Sequence, residues 1–461
     1  MSSNWPTVKT GEIFDLINGF AFKSKEFCEH GAPVLKIKNV KAGYLSLDNL
    51  AYVDPIYLSK KSDKVAQKND LLITMSGNRH DGSMETWVGK VSWFNENKLY
   101  LSNQRVGILR VKEGLDINPR YMAYQLSSVE FQKHFIAVAT SSGGQANLSP
   151  DQIKQTELSC PPRNIQDEIV NQIGSLEDKA KINSDTNQTL EQIAQAIFKS
   201  WFVDFDPVKA KIEALAAGGS DDDAELAAMS VISAKTVDEL NSLKGSNPEA
   251  FNKLAQTAAL FPAAMQDSEL GEIPEGWDNG KIGDVVQFSS KRADVSGLNL
   301  KNYISTENML ENKRGITTAS SLPIVNSVPA FDENEILISN IRPYFKKIWL
   351  AEFKGGRSPD VLGFSLLDPE ETEFAYNLLY QDRFFEYMMT TSKGAKMPRG
   401  DKSAIKQFSF PLPQKELRLV FSKHVRLFYP MIRNTNRESE HLHALRDALL
   451  PELLSGNLGR A

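Results

Sequence analysis

The chain has 461 residues, of which 41% are hydrophobic and 24% charged. That length predicts a globular protein of two to four domains, and the presence of two cysteines alone excludes a disulfide framework and a cysteine metal cluster. The net charge of −5 argues at first sight against a nucleic-acid partner, but residues 206–275 hold 13 acidic and 5 basic side chains, so the rest of the chain is weakly basic.

Residues 1–160 are predicted to form a globular domain. Its strands are short and bounded by turn residues, at 33–40, 70–75, 89–94 and 104–111. A helical segment at 119–134 and a glycine-bearing loop at 140–149 follow. The N-terminus has no basic-then-apolar signal pattern, and no apolar run approaches the roughly 18 residues that span a bilayer. We therefore expect a cytoplasmic protein.

A long amphipathic helix is predicted for residues 161–205. Steps of four and three residues trace a heptad seam that is apolar at both ends and polar in the middle. At 1.5 Å per residue such a helix is roughly 60 Å long, too long for an ordinary core. The seam consists of Ile169, Ile173, Leu176, Ala180, Asn183, Asn187, Leu190, Ala194, Ile197 and Trp201.

Residues 206–270 form an acidic, alanine-rich connector. We predict that it is exposed, that it contains short helices near 223–232 and 248–260, and that its charges face solvent. A second globular domain follows at 271–410. Its predicted strands, helical segment and loop lie at 335–339, 346–351, 371–388 and 391–401.

A second long helix is predicted for residues 411–461. Its seam has the same apolar, polar, apolar order as the first seam, so the two helices are expected to pair; the alternative is two unrelated surface helices. Pro430 lies within it and is expected to kink or split it. The seam consists of Leu417, Phe421, His424, Phe428, Met431, Thr435, Glu438, Leu442, Leu445 and Leu449.

An internal repeat relates the two globular domains. Matching positions keep their order while the loops between them differ in length, as expected for a duplicated unit. The matches are Trp5 and Gly11 with Trp277 and Gly283, 70–73 with 335–338, Ser102 and Gly107 with Ser358 and Gly363, Ser142 and Gly144 with Ser392 and Gly394, and 153–155 with 405–407.

The predicted fold class is α+β. Two tandem α/β domains each precede a long helix, and the helices pair as an antiparallel coiled coil with pseudo-two-fold symmetry. Such an arrangement suits DNA with two half-sites at a fixed spacing, because half-site spacing mirrors protein geometry. Since the loops of the two domains differ, the half-sites should differ as well.

Three stretches carry a resemblance to a known family. They are WFVDFDP at 201–207, DSELGEIPEGW at 267–277 and LLPELLSG at 449–456. With the duplication, they make the sequence similar, over essentially its whole length, to the specificity subunit of type I restriction-modification systems. Pro430 departs from the family's continuous second helix.

The resemblance implies two target-recognition domains that read a bipartite, asymmetric target in double-stranded DNA. It further implies two copies of an adenine methyltransferase subunit, which uses S-adenosylmethionine, and motor-nuclease restriction subunits, which use ATP and Mg²⁺. No cofactor or metal is expected in this chain, and no membrane partner.

Candidate DNA-reading residues are polar or basic side chains on predicted loops and strand ends, because such groups reach base edges and phosphates. Each cluster is better supported than its individual members. The candidates in the first domain are Lys36, Lys38, Asn39, Lys41, Ser76, Asn78, Arg79, His80, Asn103, Gln104 and Arg105. Those in the second domain are Thr306, Asn308, Lys313, Arg314, Ser339, Asn340, Arg342, Lys346, Lys347, Lys393, Lys396 and Arg399.

Recognisable catalytic motifs are absent from the sequence. The prolines at 161 and 162 follow Cys160 but lack the aromatic residue of an adenine methyltransferase motif, and no G-x-x-x-x-G-K-[ST] phosphate loop occurs. We therefore expect no catalytic residues and a non-catalytic DNA-binding subunit. The alternatives are a free-standing DNA-cleaving enzyme and a coiled-coil scaffold with peptide-binding end domains.

Overall fold

The computed structural model describes residues 5–79, 86–142, 145–392, 394 and 397–456. The chain divides into two compact units. The first unit comprises Met1–Ile182 and Glu438–Ala461, and the second comprises Asn183–Arg437. None of the helices in the described part of the chain has the length and hydropathy needed to cross a lipid bilayer.

Short strands and helices make up the globular part of the first unit. Its strands are β1 (Thr7–Lys9), β2 (Phe14–Asn18), β3 (Phe27–Cys28), β4 (Ala32–Leu35), β5 (Ala51–Val53), β6 (Val65–Ala66), β7 (Leu71–Thr74), β8 (Ser76–Gly77), β9 (Val91–Trp93), β10 (Tyr100–Ser102), β11 (Val106–Val111), β12 (Thr140–Ser142), β13 (Gln145–Asn147) and β14 (Glu157–Ser159). Its helices are α1 (Thr10–Ile13), α2 (Ile56–Lys60), α3 (Pro119–Leu126), α4 (Val129–Val138) and α5 (Pro150–Lys154).

Two sheets form the body of the first unit. An antiparallel sheet has the order β2-β11-β7-β9, and β7 is buried along its whole length, as its unbroken apolar run predicts. A second sheet, β3-β5-β4-β10-β6, contains the parallel pair β4 and β10. Strands β12, β13 and β8 form a small third sheet, and β1 pairs with β14 just before the long helix.

The first long helix, α6, spans Arg163–Phe202. Its buried face follows the predicted seam: Ile169, Ile173 and Trp201 are at most 3% exposed, and Asn183 and Asn187 in the polar middle are also buried. The other seam residues predicted to pair the helices are half-buried, namely Leu176, Leu190 and Ile197. Trp201 packs edge-to-face on Phe261 at 5.3 Å between ring centroids, so the aromatic end of the helix belongs to the core of the second unit.

The predicted exposed connector is instead folded. It contains four helices, α7 (Asp206–Ala216), α8 (Asp221–Ser233), α9 (Val237–Ser246) and α10 (Pro248–Ala259), and the last three enclose an apolar cluster that includes Met229 and Leu240. Ser220 and Thr236 accept hydrogen bonds from the first turns of α8 and α9 and start those helices. The short helices predicted near 223–232 and 248–260 are confirmed as α8 and α10, but the expectation of an exposed connector was wrong, because alanines separate the few large apolar residues and conceal the helical stripe.

The globular part of the second unit repeats the architecture of the first. Its strands are β15 (Met265–Ser268), β16 (Gly271–Pro274), β17 (Asp278–Lys281), β18 (Val286–Phe288), β19 (Arg292–Asp294), β20 (Tyr303–Ile304), β21 (Ser327–Phe331), β22 (Ile336–Ser339), β23 (Ile348–Leu350), β24 (Gly355–Arg357), β25 (Val361–Leu366) and β26 (Ser409–Leu412). Its short helices are α11 (Thr372–Tyr380), α12 (Asp382–Thr390) and α13 (Lys402–Ile405).

Sheet topology confirms the internal repeat. The antiparallel sheet β18-β25-β22-β23 corresponds to β2-β11-β7-β9, the parallel pair β20 and β24 corresponds to β4 and β10, and β17 pairs with β26 as β1 does with β14. The backbone oxygens of Asp70 and Glu335 accept equivalent bonds, from Phe94 and Ala351, both at 2.8 Å. The run 70–73 therefore matches 335–338 as predicted.

Two of the predicted matches are displaced by one residue. The backbone N–H of Ser358 donates to Ile304 as that of Asn103 donates to Leu35, so the counterpart of Ser358 is Asn103 rather than Ser102. Gly363 faces Leu337 where Ile108 faces Leu72, so Gly107 is not its counterpart. Identical residue types one position away on neighbouring strands misled the alignment. Gly144 lies outside the described residues.

The second long helix is divided. Helix α14 (Lys415–Val425) is capped at its C-terminal end by Arg426, and α15 (Phe428–Ser455) begins two residues after Arg426. Pro430 stands in the first turn of α15, and its ring would clash with the carbonyl group of Arg426, four residues earlier, if the helix were continuous. The expected split is therefore present.

The second seam departs from its predicted phase before the break. In α14 the buried residue is Val425, 0% exposed, whereas the predicted His424 is exposed. The less exposed positions of α15 continue the phase of Val425 through Ile432, Ser439 and Arg446, one residue after the predicted Met431, Glu438 and Leu445. Met431 is 51% exposed and Leu445 is 47% exposed. The assignment of Leu445 to helix pairing was wrong, because the prediction stepped three residues from Phe421 to His424 where the structure steps four to Val425. Among the other residues predicted to pair the helices, Phe421 is buried, whereas Phe428, Leu442 and Leu449 are half-buried.

Contacts within each unit confirm that the helices pair in antiparallel fashion. In the second unit, Asn187 Nδ2 donates to Asn436 Oδ1 at 2.7 Å, and Asn183 Nδ2 lies 3.4 Å from the carbonyl oxygen of Thr435. In the first unit, Lys179 forms an ion pair with Glu438 at 3.4 Å. Buried asparagines at seam positions fix the register of paired helices, and here they bond across the seam.

Predicted boundaries within the globular parts differ in two systematic ways. The strands are shorter than predicted. For example, the strand predicted at 33–40 ends at Leu35 and is followed by a 3₁₀ turn. Each predicted helical segment is two helices, divided at Ser128 in the first unit and at Gln381 in the second, where the backbone is extended. These elements end where tertiary packing ends them, although the hydrophobic pattern in the sequence continues beyond those points.

Candidate nucleic-acid interface

The structure gathers several candidates of the first unit on one surface, here called the first loop face: residues 76–79, 104–105, 140–142 and 145–147. Strand β8 begins this face directly after β7 and pairs with β13. Ser76 Oγ donates to Asn147 Oδ1 at 2.6 Å, and the Arg79 guanidinium donates to the carbonyl oxygen of Ala139. Hydrogen bonds to uncharged partners, rather than ion pairs, thus hold the loop that carries Asn78 and Arg79.

Exposed side chains on the first loop face are Arg79, Gln104 and Arg105, and Asn78 is half-buried. The backbone N–H of Met75 donates to the carbonyl oxygen of Arg105, which brings the 104–105 turn beside the loop after β7. Asn78 Nδ2 donates to Thr86 Oγ1 at 3.1 Å. Guanidinium and amide groups of this kind suit base edges and phosphates.

The second loop face occupies the matching place in the second unit and comprises residues 311–314, 340–347, 360, 382 and 397–400. Ile341 forms a β-bridge with Arg399, and the N–H of Arg342 donates to the carbonyl oxygen of Pro398 at 2.9 Å. The 397–400 loop therefore lies along the loop after β22, as β13 lies along β8. Arg342, Lys346 and Arg399 converge on this surface.

Ion pairs hold the second loop face. Lys313 and Lys346 both bind Asp382, at 2.6 and 2.9 Å, and Arg399 binds Asp360 at 3.2 Å. Burial raises the pKa of the Asp382 carboxyl group, but the hydrogen bonds from the two lysines outweigh it and leave that pKa lowered. Burial lowers the pKa of Lys313, whose ammonium group also lies over the Tyr380 ring at 4.4 Å.

Left-handed backbone is concentrated on the second loop face. Asn312, Lys313, Arg342 and Lys346 have φ angles of 57°, 62°, 50° and 50°. Such conformations are unfavourable for residues other than glycine and persist where surrounding contacts enforce them, often at binding sites. Here the N–H groups of Asn312 and Lys313 donate to the carbonyl oxygens of Phe345 and Lys346, at 2.8 and 2.9 Å.

Two asparagines predicted to read DNA are structural instead. Asn39 is 1% exposed and accepts from the N–H of Lys36 at 3.0 Å while donating to the carbonyl oxygen of Ser46 at 2.9 Å. Asn308 is 4% exposed; it accepts from Ser305 and donates to Tyr303 and Thr317. Both asparagines close a turn after the parallel strand pair. Their assignment as DNA-reading residues was therefore wrong, because their polar atoms bond within the protein and do not reach DNA.

Other candidates are also held within the protein. Ser76 and Ser339 are 2% exposed, too buried for groove contact. Lys36 Nζ lies 3.8 Å from the centre of the Phe27 ring, and burial lowers its pKa. Lys347 Nζ donates to the backbone carbonyl oxygen of Thr306 at 2.8 Å, which occupies the Lys347 ammonium group, and Thr306 is half-buried. The residue type alone does not show whether a polar side chain is buried or bonded within the protein. The sequence therefore did not separate these residues from the exposed ones.

The remaining candidates fall into three groups. Lys38 is exposed, but its ammonium group donates to the carbonyl oxygen of Asn49 at 2.6 Å. The second group is held or partly covered by the protein. Lys41 and Asn103 are half-buried, and Asn340 is 7% exposed. Arg314 Nε donates to the carbonyl oxygen of Glu311 at 3.1 Å. Three candidates lie outside the described residues, namely His80, Lys393 and Lys396.

Four residues of the second loop face escaped the sequence analysis. Asp360 and Asp382 position cations, and Tyr344 and Met397 are 49% and 46% exposed. The search considered only residue types that donate to DNA, so carboxylates and apolar side chains were passed over. The Arg342-Pro343-Tyr344 sequence was a usable signal, because proline after arginine marks a turn. Within the described ranges, no three His, Cys, Asp or Glu side chains are grouped as metal ligands.

Comparison with known proteins places this duplicated fold in a class of DNA-specificity proteins. Residues 2–192 match the family model described as type I restriction modification DNA specificity domain. The HindI specificity subunit of a type I restriction enzyme from Haemophilus influenzae is 32% identical over 364 residues, which cover 74% of this chain and 77% of the relative. The chain therefore belongs to the family of type I restriction enzyme specificity subunits.

Two further comparisons extend along the whole chain. A putative type I restriction enzyme specificity subunit, MjaX, from Methanocaldococcus jannaschii is 21% identical over 474 residues, covering 99% of this chain and 94% of the relative. The crystal structure of a type I restriction-modification system S subunit from M. genitalium aligns with a TM-score of 0.51 at 14% identity, covering 98% of this chain and 96% of that one. The latter likeness concerns the fold.

Proposed function

We propose that this chain is the non-catalytic subunit that gives a type I restriction-modification complex its DNA specificity. It binds double-stranded DNA with its two loop faces, and each face reads one half of a bipartite, asymmetric target. The observation that carries the proposal is one scaffold present twice, with loop faces of different composition at the same place. Equivalent scaffolds with different side chains are suited to reading two different half-sites.

In this proposal, arginines contact the base edges and lysines contact the phosphates. Arg79 and Arg105 on the first face, and Arg342 and Arg399 on the second, read base edges in a groove, since a guanidinium group bonds guanine with two parallel hydrogen bonds. Lys346 and other lysines contact phosphates, which fix orientation and make binding depend on salt. Removing a base-reading arginine should weaken specific binding by roughly 1 to 3 kcal/mol.

The partners follow from the family. Two copies of an adenine methyltransferase subunit supply S-adenosylmethionine chemistry, and motor-nuclease restriction subunits supply ATP- and Mg²⁺-dependent cleavage. This chain determines where those activities occur. The paired helices, with their register-fixing Asn183 and Asn187, set the distance between the half-sites.

Methylation mapping in cells tests the proposed function. Cells express the methyltransferase encoded with this chain, either with the chain or without it. The proposal predicts a bipartite, asymmetric adenine-methylated motif that disappears when the chain is absent. Adenine methylation that is unchanged without the chain would contradict it, and DNA hydrolysis by the purified chain with a divalent metal would contradict a non-catalytic role.

A further inference from the structure

Tyr344 is the exposed apex of a tight turn on the second loop face. The turn consists of residues 342–346, whose middle, Pro343–Phe345, is a single 3₁₀ turn between two left-handed residues. Its internal bonds run from the N–H of Phe345 to the carbonyl oxygen of Arg342 at 3.0 Å and from Lys346 to Pro343 at 2.8 Å. Proline presets the first φ angle, so the chain enters the turn with little freedom.

Neighbouring segments clamp this turn from both sides. The 311–315 segment contributes two backbone hydrogen bonds, to the carbonyl oxygens of Phe345 and Lys346, and the 397–400 loop accepts one from Arg342. Pro343 is buried beneath the apex, and Lys346 is bound to Asp382. The base of the turn is therefore fixed, and Tyr344 is carried on a rigid support.

The surroundings of Tyr344 combine apolar and cationic groups. Its ring centre lies 4.6 Å from that of Phe345, which supports it from one side. Arg342 and Lys346 flank it in sequence, and Met397, next to the Pro398 that bonds Arg342, is a second exposed apolar side chain. An exposed tyrosine alone is unremarkable. A ring on a fixed turn, with a cationic residue two positions away on each side in sequence, on a face proposed to bind DNA, has a more specific use.

We propose that Tyr344 inserts its ring at a base step of the half-site read by the second unit. This inference rests on the proposed function and adds to it a residue that acts by stacking rather than by hydrogen bonding. Aromatic and apolar side chains that enter a base step partly unstack it, and nearby cations hold the flanking phosphates. Because the turn is already ordered, little conformational entropy is lost on binding.

The test uses the full chain with its methyltransferase, on duplexes that carry the motif found by methylation mapping. 2-Aminopurine, whose fluorescence rises when it is unstacked, replaces each adenine of the two half-sites in turn except the methylated adenines, which the methyltransferase itself extrudes from the stack. Other base pairs are scanned by placing 2-aminopurine beside them. Wild type should raise the fluorescence at one step in one half-site. Tyr344→Ala should abolish that rise and weaken specific binding roughly tenfold to a hundredfold.

Two control variants separate the ring from other effects. Tyr344→Phe keeps the ring and should retain both the fluorescence rise and the affinity. Leu367→Ala removes a side chain of similar exposure, 52%, just beyond the far end of β25, and should also behave as wild type. Amide hydrogen exchange of β22 and β23 confirms that each variant is folded.

The outcomes distinguish this inference from the function on which it rests. If wild type binds the motif and Tyr344→Ala binds it equally well, or still unstacks the same step, the insertion is refuted while the proposed function stands. If no motif depends on the chain, both are refuted. Loss of affinity in Tyr344→Phe as well as Tyr344→Ala would assign the effect to the hydroxyl group and also overturn the insertion.

Discussion

The two units share a scaffold and differ in how they hold their loop faces. Backbone bonds recur at equivalent positions, such as those accepted by Arg105 and Asp360 from Met75 and Asn340, the residues that directly follow β7 and β22. At that one position the first unit presents an exposed arginine, whereas the second presents a carboxylate bound to Arg399. The scaffold thus depends on backbone geometry, and the side chains at its loop faces are free to diverge.

The same contrast appears where each globular part meets the paired helices. In the first unit, Glu177 accepts from Tyr124 at 2.8 Å and pairs with Arg120 at 2.9 Å, and Arg446 lies 3.7 Å away. In the second unit, Glu191 is near tyrosines, and burial raises its pKa to about 7, partly offset by a hydrogen bond with Tyr380. One carboxylate is neutralised by arginine, and the other by taking up a proton.

The largest effect is expected from the buried asparagine that stands at the same place in each unit, Asn39 in the first and Asn308 in the second. Asn39→Ala and Asn308→Ala each leave turn backbone groups without partners, so each should destabilise its own unit by about 3 kcal/mol. Hydrogen exchange with mass spectrometry resolves the two units and measures this. Asn326→Ala, at an exposed position, is the matched control and should change little. An equal loss of protection in both units would show that they do not unfold separately.

A smaller effect, of opposite sign in the two units, is expected from the helix carboxylates. The folded-state pKa of Glu191 lies above its ordinary value of 4.5, so the folded state holds the extra proton and stability falls as pH rises from about 4.5 to 7. Glu191→Gln should remove that fall and stabilise the second unit on the order of 2 kcal/mol at pH 8.

Glu177→Gln supplies the contrasting result. It removes the charge that pairs with Arg120 in a partly buried site, so it should destabilise the first unit by about 1 kcal/mol. Hydrogen exchange of α6 at pH 5.5 and pH 8 measures both variants. Destabilisation by both substitutions at pH 8 would mean that Glu191 is stabilised as a carboxylate, contrary to its desolvated setting.

The smallest effect concerns the ion pairs of the second loop face. When DNA binds, Lys346 exchanges its ion pair with Asp382 for a phosphate, and Asp382→Asn removes that competing carboxylate from both Lys346 and Lys313. Affinity for non-specific DNA should rise roughly threefold at low salt, and its dependence on salt should steepen. Titrations at several salt concentrations measure this. Asp238→Asn, the same charge change on α9, should leave the salt dependence unchanged; an equal response would indicate a net-charge effect.

Sequence reasoning succeeded where periodicity and repetition carried the signal. The α6 seam from Ile169 to Trp201 is buried or half-buried throughout, because an unbroken heptad keeps one phase. The run at 70–73 and its copy at 335–338 coincide in the structure, because an acidic residue before three large apolar residues is distinctive. The α+β fold class and the antiparallel helix pair followed from these two features.

Other predictions failed where the outcome depended on tertiary contacts. Leu445 looked like a seam residue, but the seam runs from Phe421 to Val425 rather than to His424 and therefore reaches Arg446, whose charge had concealed it. Asn39 and Asn308 looked like DNA readers, yet their amides close turns through backbone atoms several residues away. The strain at Arg342 and the ion pairs of Asp382 arise from segments far apart in sequence, so no local pattern announced them.

Methylation mapping with face-specific variants tests the central claim most directly, that each unit reads one half of the target. One variant combines Arg79→Ala with Arg105→Ala on the first loop face, and the other combines Arg342→Ala with Arg399→Ala on the second. The account predicts that each variant relaxes the methylated motif in one half only, and that the two variants affect opposite halves. Relaxation of the same half by both, or of both halves by either one, would contradict it.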